Sequence, residues 1–85
     1  MSEPEQWITE TVRMNDDGSL EISSVIVEPN FSPGHSLWTS QPGSPDFIEF
    51  GTRHGVTRPG QISKITKELR DGVWIETQTK EGDWS

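Results

Sequence analysis

Trp7-Ile8-Thr9-Glu10-Thr11-Val12-Arg13-Met14, then Asn15-Asp16-Asp17-Gly18, then Ser19-Leu20-Glu21-Ile22-Ser23-Ser24-Val25-Ile26-Val27, is the stretch that decides the fold. Ile8 and Val12 fall at even spacing with Thr9 and Thr11 on the alternate face, as on a half-buried strand. Gly18 after Asp17 supplies the positive φ that a tight reversal requires. Leu20 and Ile22 resume the alternation, but beyond Ser23-Ser24 the apolar parity shifts to Val25 and Val27. The shift predicts a bulge that restores the facing. Pro29 has no N–H for a ladder and closes the strand. The reading is a β-hairpin over 5–28.

The rest of the chain is read outward from that hairpin. Residues 29–44 contain Pro33-Gly34 and Pro42-Gly43 and keep no period, so a long loop is expected there. Its Phe31, Leu37 and Trp38 either fold back over the core or stand exposed for a partner. Ser44-Pro45-Asp46 has the order of a helix start, and Arg53-His54-Gly55 that of a helix end. A short helix over 45–54 follows, weakened by Gly51 in its interior. Residues 62–71 are ambiguous: Ile62, Ile65 and Leu69 have helical spacing, yet Asp71-Gly72 also reads as a hairpin turn. The favoured reading is a second hairpin over 62–79 with a three-residue loop, placing Leu69 opposite Val73, Lys67 opposite Ile75 and Ile65 opposite Thr77. Residues 80–85 read as a tail. The expected architecture is α+β: a small single domain (1–85) with two β-hairpins in one antiparallel sheet of about four strands and one short helix, ββαββ.

Composition limits the function classes. In 85 residues, 28% are hydrophobic, and Leu, Ile, Val and Phe together make 18. That is barely enough apolar material for one core. There is no Cys, Ala or Tyr, but there are four Trp. A disulfide scaffold, a thiolate zinc site and a cysteine nucleophile are thereby excluded. Met1-Ser2-Glu3-Pro4-Glu5 is acidic with no apolar run, and no later segment approaches membrane-spanning length. The expected location is cytoplasmic, with no membrane partner. No glycine pattern cradles a phosphate, and no cofactor or metal is implied.

Charge is unevenly placed. The net charge is −7, and residues 1–50 hold nine acidic side chains against Arg13 alone. Within 53–70, Arg53, Arg58, Lys64, Lys67 and Arg70 stand against Glu68 alone. If 45–54 and 60–71 were both helices, Lys64, Lys67 and Arg70 would lie on the second of a helix-turn-helix-like pair, the alternative reading as a nucleic-acid-binding regulator that uses 53–70. An acidic chain repels phosphate at long range, so nucleic acid is the less expected partner. His54 reads as a surface residue complementing the helix dipole, and His35 beside Ser36 lacks a third catalytic member. Trp7 and Trp74 read as core, and Trp84 as part of the tail. No catalytic set is found. The expectation is therefore a non-enzymatic protein–protein interaction module, a small acidic adaptor, inhibitor or assembly component of phage or accessory bacterial type. It would dock another protein, one with a basic surface, through Phe31, His35, Leu37, Trp38 and Glu49.

Overall fold

In the computed structural model, which describes residues 5–28 and 34–84, the chain forms five strands and one helix. These are β1 (Gln6–Met14), β2 (Leu20–Val27), β3 (Gly34–Ser40), α1 (Pro45–His54), β4 (Gln61–Arg70) and β5 (Val73–Gly82). The strands make one antiparallel sheet in the order β3-β2-β1-β4-β5. The α+β class and the single antiparallel sheet agree with the sequence reading, but the order is βββαββ with five strands. The extra strand is β3, which lies inside the segment expected to be a loop. It has no alternation of its own, and its place comes from pairing with β2, from Leu20 opposite Ser40 to Ile26 opposite Gly34.

The first hairpin forms as expected, with Met14 opposite Leu20 and Trp7 opposite Val27. Its turn is held by the Asp17 carboxylate, which accepts from the Ser19 N–H (2.9 Å) and Ser19 Oγ (2.6 Å). These bonds, the hydroxyl one foremost, hold the Asp17 carboxyl below its ordinary pKa. The expected bulge at Ser23-Ser24 is absent, because the β1–β2 register runs unbroken. Parity instead divides the two faces: Leu20 and Ile22 point to the helix side, and Val25 and Val27 to the other.

The second hairpin also forms, so the helical reading of 62–71 is overturned, and with it the second helix of a helix-turn-helix. Its register is one residue from the expected one: Arg70 pairs with Val73, Leu69 with Trp74 and Lys67 with Glu76. Asp71 (φ 51°) and Gly72 (φ 77°) are both left-handed, as a two-residue type I′ turn requires. One residue of slip exchanges the faces of an entire strand. Leu69 and Trp74 therefore share the helix side, while Val73 and Ile75 face away. The expected tail is partly structured too: β5 runs to Gly82, and the Trp84 Nε1–H donates to the Ile62 carbonyl at 3.1 Å.

The helix has the predicted ends. Ser44 Oγ accepts from the Phe47 N–H (3.3 Å), and Pro45 takes the first helical position. At the other end Gly55 (φ 72°) lets its own N–H reach Thr52 O while the Val56 N–H reaches Gly51 O, a Schellman closure. Val56 is thereby buried. The helix crosses one face of the sheet and covers Val12, Met14, Leu20 and Ile22, with Trp38, Phe47, Phe50 and Trp84 around them. A methyl on Gly51 would meet Leu20 Cδ1 and Val56 O at 3.6 Å, ordinary contact. Gly51→Ala is thus expected to raise stability by about 0.5–1 kcal/mol; a lowered Tm would show that Leu20 cannot accommodate it.

Candidate partner-binding surface

One ten-residue helix packs on one face of the five-stranded sheet and covers only part of that face, which leaves two surfaces open. Among the described residues no element lies over the opposite face. The pairing registers set its side chains in rows. One row reads Val27, Trp7, Glu68, Ile75, and the next His35, Val25, Thr9, Thr66, Thr77. Beyond them come Leu37, Ser23, Thr11, Lys64, Thr79, and then Thr39, Glu21, Arg13, Ile62, Glu81. The face therefore grades from apolar to charged toward the Asp16-Asp17 turn. In the charged row Arg13 Nη2 bonds Glu21 Oε2 at 2.7 Å. Leu37 is 60% exposed and Ile75 46%. The second surface is the far part of the helix side, where Ile8, Lys67, Trp74 and Glu76 line a groove of about 390 Å³.

The residues singled out from sequence do not converge. His35 and Leu37 lie together on the bare face, and His35 Nε2 is 3.4 Å from Ser23 Oγ. Trp38 points the other way, edge-on to Phe50 with ring centroids 5.7 Å apart, so it belongs to the helix–sheet packing. Glu49 is on the helix and accepts from Arg53 Nη2 at 2.8 Å. Phe31 lies outside the described residues. The basic set is dispersed as well. Arg53 bonds Glu10 and Glu49, Arg58 bonds Asp83, and Arg70 bonds Glu68. Lys64 and Lys67, an odd number of residues apart on one strand, point to opposite faces. Trp74, expected in the core, is 48% exposed, because it stands beyond the reach of the helix.

Sequence reasoning missed a buried polar network. His54 is not a surface residue but is 1% exposed. Its Nε2 lies 2.7 Å from Glu10 Oε1 and its Nδ1 2.8 Å from Ser63 Oγ. Gln78 Nε2 donates to Ser63 Oγ (3.0 Å) and to the His54 carbonyl (3.2 Å). Arg53 Nη1 bridges both Glu10 oxygens at 3.1 and 3.2 Å. With the Nε2 proton directed at a carboxylate, a neutral ring leaves Nδ1 as acceptor, and the Ser63 hydroxyl donates to it. The order Ser–His–Glu resembles a nucleophilic triad, but Ser63 is fully buried and a substrate carbonyl cannot reach its Oγ. Chemically the arrangement satisfies buried polar groups, and it ties α1 to β1, β4 and β5. The only local signal for it was the position of His54 at a helix end, because Glu10 is 44 residues away.

Among the described residues no group of three His, Cys, Asp or Glu side chains is placed to hold a metal, and no helix is long and apolar enough to cross a membrane. Comparison with protein-family models, curated proteins and solved structures finds no match to this chain.

Proposed function

We propose that this chain is a non-enzymatic protein-interaction module, a small acidic adaptor, inhibitor or assembly component, that seats a partner protein on the bare face of its sheet. The observation that carries the reading is the apolar end of that face. Antiparallel sheets covered on one side are ordinarily polar on the other. Here Val25, Val27, Trp7, Ile75 and Leu37 occupy three adjoining rows, with threonines between them. Threonine and β-branched side chains make a stiff surface, which loses little entropy when covered. The net charge of −7 favours a partner with a basic surface by steering the encounter, while the apolar rows supply the short-range contact. Of the residues chosen from sequence, His35 and Leu37 remain in this reading. Trp38 and Glu49 leave it, because they serve the helix.

The test is amide shift mapping with a partner purified from the native host. Shifts should cluster at Val25, Leu37, Thr66 and Ile75. Leu37→Glu should weaken binding at least about tenfold, while Ile48→Glu on the exposed side of the helix leaves it unchanged. Shifts confined to the helix or to the 15–19 turn, or an unaltered affinity for Leu37→Glu, would reject the reading.

A further inference from the structure

Among the described residues, strand β5 is the long free edge of the sheet: ten residues, each of them exposed, without proline. Edge strands present unpaired N–H and C=O groups, and proteins usually blunt them by shortness, proline, charged side chains or a covering element; of these β5 has only charge, and of both signs, at Glu76, Lys80 and Glu81. The opposite edge is shorter, since β3 has seven residues and Pro42 follows it closely. Two hydrogen bonds determine which backbone groups of β5 point outward. The Glu5 N–H donates to Leu69 O (2.8 Å), so residue 69 turns to β1 and Arg70 turns to its β5 partner Val73. At the other end the Asp83 N–H donates inward to Gly60 O (3.1 Å). The backbone groups of Trp74, Glu76, Gln78 and Lys80 therefore face outward.

We propose that this edge pairs with the same edge of a second copy of the chain, antiparallel about a two-fold axis through Gln78. Only registers that set even residues opposite even residues let the two copies exchange ladder hydrogen bonds. The one centred on Gln78 places Glu76 opposite Lys80 of the second copy, and symmetry makes that pair occur twice. It also places Thr77 opposite Thr79, and Trp74 opposite Gly82, where an aromatic ring covers backbone that glycine leaves bare. Neighbouring allowed registers lose both ion pairs. Centred on Thr77, Glu76 meets Gln78 and Lys80 meets Trp74; centred on Thr79, Glu76 meets Gly82. The Gln78 side chain is already drawn back over its own sheet by His54 O and Ser63 Oγ, which leaves the axis clear. The contact is isologous and closes at two copies, because the remaining edge, β3, differs from β5. It uses the sheet edge and not the bare face, so it stands or falls separately from partner docking.

Sedimentation equilibrium of the full chain over a concentration series tests it. A monomer–dimer equilibrium is expected, and Glu76→Lys or Lys80→Glu alone should raise the dimer Kd roughly tenfold or more by setting like charges opposite each other twice. The double exchange, Glu76→Lys with Lys80→Glu, should restore the parent Kd. Both positions are exposed, and the contacts they make in their own chain, Lys80 Nζ 4.8 Å over the Trp84 ring and Glu76 opposite Lys67, are surface contacts small against the total stability, so circular dichroism should show an unchanged fold in each variant. A chain that stays monomeric throughout, a dimer indifferent to either single exchange, or a failure of the double exchange to restore it would overturn the proposal.

Discussion

His54→Ala is expected to lower the unfolding free energy by about 3 kcal/mol, read from urea unfolding by linear extrapolation. The imidazole is buried and spans from Glu10 Oε1 to Ser63 Oγ. Its removal opens a cavity and withdraws one partner from each of two groups. Ser63 keeps the Gln78 donor, and Glu10 keeps Arg53. A buried polar group without its partner costs about 1–3 kcal/mol, and the lost packing adds to that. Glu10→Gln is the informative companion. A glutamine carbonyl still accepts from His54 Nε2–H, so the loss should be smaller, near 1 kcal/mol. If His54→Ala costs less than Glu10→Gln, the network does not hold the helix to the sheet.

Leu20→Ala is expected to cost a similar amount, about 3 kcal/mol within the usual 2–5 kcal/mol for such truncations. Leu20 is fully buried among Val12, Met14, Ile22 and Val56, and its Cδ1 faces the helix at Gly51. A chain of this length has a total stability of roughly 4–13 kcal/mol, so the loss is a large fraction. Leu37→Ala, by contrast, should change stability by no more than about 0.5 kcal/mol, since most of that side chain is already in water. Thermal or urea unfolding of the two variants side by side checks the contrast. Equal losses would mean that the bare face carries as much of the folding energy as the helix-covered one.

Short-range devices are legible in the amino-acid order. The cap at Ser44, the Pro45 start and the Gly55 stop act within four residues of themselves, and the helix ends where they indicate. Asp17-Gly18 likewise acts within its own turn. Strand β4 is ambiguous in sequence for a definite reason. Two of its inward positions are polar, Gln61 and Ser63, while Ile62 points outward. Gln61 Oε1 accepts the backbone N–H groups of Thr57 (2.7 Å) and Arg58 (3.2 Å), and Ser63 serves His54. Those duties replace the apolar residues a period-2 pattern needs, and the remaining Ile62, Ile65 and Leu69 imitate a helix. Of the candidate site, His35 and Leu37 do share one surface, but only the pairing of β3 with β2 reveals which surface that is.

Taken alone, the amino-acid order determined the first hairpin, the helix with both its ends, and the acidic imbalance, because each rests on interactions between near neighbours or on simple counting; it favoured the second hairpin over a helix without fixing its register. Tertiary structure decided the rest. It made Gly34–Ser40 a strand, set β4 beside β1, buried His54 against a carboxylate 44 residues away, and, among the described residues, left one face and the long β5 edge of the sheet uncovered. Those outcomes depend on which distant segments share the small apolar supply. The one helix packs on one face of the sheet and is too short to shield all of it, so among the described residues the opposite face, the β5 edge and the far part of the helix side stay in water.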